Sequence, residues 1–154
     1  MIFVTVGTQL PFPRLVNFMD AYAQTHAEDV VAQTGAKGDW PNLRASPSLA
    51  MAEMEAMHRD ARVIVGHAGI GTVLAARAAR RPLIVVPRRS ALGEHRNDHQ
   101  LDTARALEAQ AGVWVAWDVS QVSALLDTDL VLQDPSDNPL HDSLVRTLRD
   151  FAFA

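Results

Sequence analysis

Short, continuously apolar runs alternate along the chain with longer segments whose apolar residues recur every three or four positions. The short runs are rich in β-branched residues, as is typical of strands that are buried on both faces of a parallel sheet. We predict strands at 1–6, 29–33, 62–66, 83–86 and 113–116, and a short candidate strand at 43–45. This alternation predicts an α/β domain, a Rossmann-like parallel sheet with helices on both faces.

The segments between the predicted strands have helical periodicity. The first carries its apolar residues, from Leu15 to Tyr22, on one face at spacings of three, four and seven. A second helix is expected to have Ser48 as its cap, and a third follows a glycine-rich turn and ends near Arg80. Further helices are predicted over 98–110, 119–126 and 140–151. Gly112 is expected to end the first of these as its C′ residue.

Length and composition narrow the class of protein. The chain has 154 residues, about one domain, and shows no internal repeat, so we treat 1–154 as a single domain. The formal net charge of −4 argues against a general affinity for nucleic acid. The absence of cysteine excludes disulfides and thiolate metal sites. With no signal-peptide pattern and no run of ~18 apolar residues, we expect a cytoplasmic protein.

A glycine-rich turn, GHAGIGT at 66–72, joins a predicted strand to a predicted helix. Gly66, Gly69 and Gly71 allow the backbone to approach a ligand, and the free N–H groups of the helix that follows favour a phosphate or diphosphate. The hydroxyl of Thr72 would add a donor. The spacing matches neither a P-loop nor the dinucleotide fingerprint, so NAD is not favoured. The alternative interpretation is that these glycines only make a tight turn.

A second polar motif, PRRSALGEHRNDHQ at 87–100, follows the predicted strand 83–86. It therefore lies at the carboxyl end of a parallel strand, where ligands bind in open α/β sheets. Its carboxylates, amides and imidazoles suit the recognition of sugar hydroxyls. Two alternatives stay open. In the first, His95 and His99, four residues apart, share a metal ion, although no third ligand of matching spacing is evident. In the second, the segment is a solvated loop in which Asp98 caps a helix.

Weaker signals come from isolated residues. Gly7, Thr8 and Gln9 end the first strand, where they would face a phosphate or only form the turn. Six arginines form a local basic concentration in this acidic chain, at 77, 80, 81, 88, 89 and 96. Residues expected on the surface are His26, His58 and His141, and those expected to pack in preference to stacking on a base are Trp40, Trp114 and Trp117.

Taken together, VTVGTQ near the start, HAGIGT, PLIVVPRR and EHRNDHQ resemble the C-terminal, donor-binding domain of glycosyltransferase family 28. The likeness is strongest to its stand-alone members, which are donor subunits of two-component N-acetylglucosaminyl and glucuronosyl transferases. It covers residues 1–118, and we find no motif in 119–154, whose helices are candidates for contact with a partner. The resemblance implies the C-terminal half of a GT-B fold.

The resemblance also implies how a UDP-sugar substrate would bind, with no cofactor and no required metal. The diphosphate would lie at 67–72 and 7–9, the sugar hydroxyls at 97–100, and the uracil near Met51. The expected donor-binding residues are Gly7, Thr8, Gln9, Met51, His67, Ala68, Gly69, Gly71, Thr72, Arg88, Glu94, Asn97, Asp98, His99 and Gln100. The chain departs from the family at Ala75, where related enzymes place a glutamate that binds the ribose.

The implied activity is transfer of a sugar from UDP to a lipid-linked acceptor, in concert with a membrane-associated, acceptor-binding subunit that recruits this chain to the inner face of the membrane. Bacterial polysaccharide synthesis is the expected setting. The general base would belong to the partner, and His67 and Glu94 are the candidates if it does not. A regulatory module that only binds a nucleotide sugar, and an independent small enzyme, are the alternatives. The donor sugar is left open between glucuronate, which needs a cation such as Arg88, Arg89 or Arg96, and N-acetylglucosamine.

Overall fold

The computed structural model describes residues 1–131, which form one six-stranded sheet flanked by helices. The strands are β1 (Ile2–Thr5), β2 (Val30–Gln33), β3 (Arg44–Ser46), β4 (Val63–His67), β5 (Leu83–Val86) and β6 (Val113–Val115). The helices are α1 (Pro13–Thr25), α2 (Met51–Asp60), α3 (Ile70–Ala78), α4 (His99–Leu107) and α5 (Gln121–Leu126), with a 3₁₀ turn at Ser90–Leu92. The helix predicted at 140–151, and His141, lie outside the described residues.

The sheet has the strand order β3-β2-β1-β4-β5-β6, and every neighbouring pair is parallel. The predicted α/β class is therefore confirmed. The order reverses between β1 and β4, because the chain leaves β1 towards one edge of the sheet and returns to build the other. Such a reversal opens a crevice at the carboxyl ends of the strands, which is where ligands bind in this architecture.

Each face of the sheet carries its own core, as the two-sided apolar runs predict. On one face Val4, Val65 and Ile84 pack against α1 and α5. On the other, Phe3 and Ile64 pack with buried residues of α3 and α4. Within the part of the chain that the structure describes, no helix is long and apolar enough to cross a membrane.

Two local expectations about the second helix are wrong. Ser48 does not cap α2: Ala50 is the N-cap, and its N–H donates to the Glu53 carboxylate over 2.9 Å. The chain stays extended before that point because the carbonyl of Pro47 still accepts from the N–H of Gly35 at 3.0 Å. His58 is not a surface residue but only 7% exposed, with its ring edge-on to Phe3 at 5.1 Å.

The end of α4 also differs from the expectation. The helix stops at Leu107, three residues before the predicted end, and Glu108 is its C-cap. Gly112 therefore does not directly follow the helix. It takes a φ of +78° in the turn that leads into β6, and its carbonyl accepts from the N–H of Leu83 at 3.0 Å.

Candidate functional site

The turns after β1 and β4 meet on the ring of His67. Gly7 has a φ of +76°, and a Cβ added there would lie 2.6 Å from Cε1 of His67. A Cβ added at Gly69 would overlap Nε2 of the same ring. The two glycines are thus required by the imidazole between them, and the ring brings the backbones of both turns together.

This packing keeps His67 neutral. Its pKa is lowered from 6.5 to about 4, first by burial of the ring and then by the nearby positive charge of Arg88. Nδ1 lies 3.4 Å from the hydroxyl of Thr72. A base with such a low pKa accepts protons poorly at neutral pH, and the contacts of His67 position the two turns. A catalytic role for His67 stays a prediction.

The three glycines of the turn after β4 have different structural roles. At Gly66 a Cβ would lie 2.9 Å from Cγ2 of Thr72 and 3.0 Å from the carbonyl oxygen of Thr5, so this glycine allows close packing of α3 on the sheet. At Gly71, the second residue of α3, an added Cβ would meet no described atom within 4 Å apart from its chain neighbours and the backbone of its own helix. Nothing inside the described fold requires glycine at Gly71, and its exposed backbone leaves room for a ligand.

Helix α3 begins at this open position. Gly69 is its N-cap, and no side chain among the described residues caps the helix. Its first N–H groups and the positive end of its dipole point to the crevice between β1 and β4, as an anion-binding site requires. Ala68, also predicted to bind the donor, is only 2% exposed and packs into the core beneath this turn.

Gln33 is a buried residue of this region that the sequence analysis missed. It ends β2 and is only 2% exposed. Its Oε1 accepts from the hydroxyl of Thr5 at 2.9 Å, and its Nε2 donates to the carbonyls of Gly7 and Pro47, both at 3.1 Å. Gln33 thereby fixes the carbonyl of the Gly7 turn. A polar residue at the end of an otherwise apolar strand was the available signal.

Arg88, which follows β5, is buried, with 2% exposure. Its guanidinium donates to the carbonyls of Val6 and Pro11 at 2.8 Å, Leu10 at 2.5 Å and Glu94 at 3.3 Å. The group also lies 4.8 Å from the ring centre of Phe12. Arg88 therefore joins the loop after β1 to the loop after β5. These contacts position the loops, and the sugar contact predicted for Arg88 is untested.

A second link joins the same two loops. Arg14 of α1 forms a two-point ion pair with Glu94, with Nε to Oε1 at 2.6 Å and Nη2 to Oε2 at 2.9 Å. The Glu94 carboxylate also accepts from the N–H of Arg89 at 3.0 Å. These bonds occupy Glu94, whose predicted role as a base or donor ligand is untested. Gln100 supports the same loop, because its Oε1 accepts from the N–H of Arg88 at 3.0 Å.

The later loop presents its remaining polar residues to solvent. Asp98 precedes α4 and accepts from the N–H and hydroxyl of Ser90 at 3.0 and 2.7 Å. These two bonds hold the pKa of the Asp98 carboxyl below its ordinary value. Oδ1 of Asn97 accepts from the N–H of His99 at 3.2 Å. Asn97, Asp98 and His99 are exposed, so the structure leaves their outer faces available to a ligand.

An open cleft of about 490 Å³ lies between the two loops. One wall is Gln9 and Leu10, and the other is His95, Arg96 and Asn97. Arg96 has no hydrogen-bond or ion-pair partner among residues 1–131. The cleft therefore contains a cation that the described part of the fold does not neutralise.

The last predicted contacts are not among the residues that line this cleft. Met51 is the first residue of α2 and is 80% exposed. Thr8 is exposed in the turn after β1. For the metal interpretation, no group of three or more histidine, aspartate or glutamate side chains in the described residues is placed to hold an ion. His99 instead begins α4, and Nδ1 of His95 lies 3.1 Å from Oδ1 of Asn97.

Comparison with protein families matches residues 1–140 to the glycosyltransferase family 28 C-terminal domain. The chain belongs to this family. A curated relative, the UDP-N-acetylglucosamine transferase subunit ALG13 of Eremothecium gossypii, is 27% identical over 164 residues, covering 81% of this chain and 79% of that protein.

Solved structures agree on the fold. The NMR structure of ALG13 matches with a TM-score of 0.61 and 19% identity, over 87% of this chain and 88% of that one. The glycosyltransferase SnogD of Streptomyces nogalater matches with a TM-score of 0.57 and 25% identity, over 82% of this chain. The kitacinnamycin glycosyltransferase matches with a TM-score of 0.58 and 18% identity, over 77% of this chain. The chain spans only 34% and 30% of the last two enzymes, and its fold is that of the C-terminal half of GT-B glycosyltransferases.

Proposed function

We propose that this chain is the donor-binding subunit of a two-component glycosyltransferase and that it binds a UDP-sugar. The observation that carries the proposal is the start of α3, where Gly71 has open space around it and no described side chain caps the helix. A diphosphate matches both features, because it fills the space and accepts from the free N–H groups. Family membership and the name of the curated relative support this proposal.

The rest of the donor follows from this position. With the diphosphate between α3 and the Gly7 turn, the sugar extends into the cleft beside Asn97 and the uracil extends towards Met51. The open cleft and the 80% exposure of Met51 support this placement. Departure of UDP builds negative charge on the diphosphate, which the N-terminus of α3 stabilises without a metal ion.

The proposed reaction needs a second subunit. The low pKa of His67 makes it a weak base, and Glu94 is paired with Arg14, so both are poorly suited to deprotonate an acceptor hydroxyl. The partner would supply the base, hold a lipid-linked acceptor and recruit this chain to the membrane. The reaction would be a step of polysaccharide synthesis. Transfer by the reconstituted pair would exclude a purely regulatory nucleotide-sugar module.

Calorimetric titration of the purified chain tests donor binding. The ligands are UDP, UDP-glucuronate, UDP-N-acetylglucosamine and NAD, each with and without magnesium. We expect the uridine nucleotides to bind without magnesium and NAD not to bind. Binding of NAD in place of UDP, or binding of UDP only with magnesium, would contradict the proposal.

A charge placed at Gly71 tests the site itself. Gly71→Asp puts a carboxylate in the first turn of α3, where it favours the helix but repels a diphosphate. We expect UDP affinity to fall by at least ~10-fold, since like charges in close contact cost on the order of 1–2 kcal/mol. Gly71→Asn is the matched neutral control and should lose less. Equal UDP affinity in Gly71→Asp and the unmodified chain would refute a diphosphate at α3.

A further inference from the structure

The basic residues near the cleft differ in whether their charge is already used. Arg14 pairs with Glu94, and Arg88 donates to four backbone carbonyls. Arg89 donates to the carbonyl of Trp117 at 2.5 Å. Arg96 is exposed, lines the cleft and has no such partner within residues 1–131. The positive charge of Arg96 is therefore available to a ligand in the cleft.

The cleft offers Arg96 no opposing charge. Its other lining residues are Gln9, Leu10, His95 and Asn97, so no carboxylate lies on either wall. The acids two residues away in sequence both have other partners: Glu94 is paired with Arg14, and Asp98 accepts from the hydroxyl of Ser90. An anion entering the cleft therefore meets a cation without displacing an internal partner, and a guanidinium binds a carboxylate through two parallel hydrogen bonds.

We propose that Arg96 selects a donor whose sugar carries a carboxylate, so that the substrate class is a UDP-hexuronate. This inference rests on the proposed function, which places the sugar in the cleft and the diphosphate at α3. Asn97 lies beside Arg96 and Gln9 lies on the opposite wall, and the amides of both are suited to the ring hydroxyls of the same sugar. A neutral hexose in this cleft leaves the guanidinium paired only with water.

The test compares three probes that differ by one group at a time. UDP lacks the sugar, UDP-glucose has a neutral sugar, and UDP-glucuronate differs from UDP-glucose only by a carboxylate in place of the hydroxymethyl group. We expect the unmodified chain to bind UDP-glucuronate about 10-fold more tightly than UDP-glucose, a typical gain for a charge-assisted pair that is partly exposed. Arg96→Gln should abolish this preference and leave the affinity for UDP unchanged.

Arg80→Gln is the matched control, because Arg80 is an exposed arginine beyond the far end of α3 and its loss changes the net charge equally. It should keep the preference for UDP-glucuronate. If the unmodified chain binds UDP-glucose and UDP-glucuronate equally, or if Arg96→Gln weakens UDP as much as UDP-glucuronate, the inference is overturned while the proposed function stands. If UDP itself does not bind, the proposed function fails and this inference fails with it.

Discussion

Replacing Arg88 with methionine is the most informative test of how the site is held together. The side chain is buried, and its guanidinium is the shared donor for carbonyls of Val6, Leu10, Pro11 and Glu94. Methionine keeps the approximate length of the side chain and removes every donor. The loops after β1 and β5 would then have to find other partners for these carbonyls.

The expected cost follows from the burial of each bond. The bond to Val6 is fully buried, so its carbonyl loses its donor where water does not reach, at a cost of about 1–3 kcal/mol. The other three bonds are partly buried, and water recovers much of each. Burial lowers the pKa of Arg88, because a buried charge is costly. Methionine avoids that cost. We expect Arg88→Met to lower the free energy of unfolding by about 3 kcal/mol.

Urea unfolding followed by tryptophan fluorescence measures this loss, which corresponds to a Tm lower by roughly 6–12 °C in a domain of this size. Arg88→Lys keeps the charge with three donors and should lose about half as much. Arg59→Met is the control: its side chain is 66% exposed, and it should change stability by less than about 0.5 kcal/mol. If Arg88→Met unfolds within about 0.5 kcal/mol of the unmodified chain, this reading of the Arg88 contacts is wrong.

The glycine turns and the histidine between them give two further predictions. Gly7→Ala should cost about 3 kcal/mol in urea unfolding, because it combines a left-handed backbone with a Cβ 2.6 Å from His67. Gly93→Ala is the control: at a φ of +69°, with no described atom beyond its chain neighbours within 4 Å of the new Cβ, it should show only the backbone cost of about 1 kcal/mol. Equal losses in the two variants would refute the contact with His67. Because the pKa of His67 is lowered from 6.5 to about 4, the unfolded chain binds the proton first. Stability is therefore full above pH 6.5 and should fall by up to about 3 kcal/mol as the pH drops to 4; a His67→Gln variant with the same pH profile would contradict this.

The fold could be predicted because the signals for it are local. The strand Leu83–Val86 is apolar at every position, and both faces of the sheet are covered, so the run itself indicates a central parallel strand. The edge strand Arg44–Ser46 gave a weaker signal, since it is largely exposed and lies one residue from the candidate range. Helix ends were predicted least well, as at Ser48, where extended pairing of Pro47 with Gly35 delays the helix.

The site was predicted in outline only, because its supports are contacts between distant residues. The segments 7–9, 67–72 and 97–100 do lie at the carboxyl edge of the sheet. Arg88, however, meets Val6 across 82 residues and Arg14 meets Glu94 across 80. No periodicity or motif spacing reports such pairs, and a buried arginine runs against the usual preference of that residue for the surface.

The polar residues of the two loops divide into those that the fold uses and those that it leaves free, and this division predicts how variants will behave. Arg88, Glu94 and Gln100 are engaged inside the loops, so changes there should reach the ligand through the stability of the loops. Gln9 and Arg96 line the cleft and carry none of these supporting bonds within residues 1–131. Under the proposed function, discrimination between donor sugars is therefore expected from the second group, and variants in it should change donor affinity without changing the free energy of unfolding.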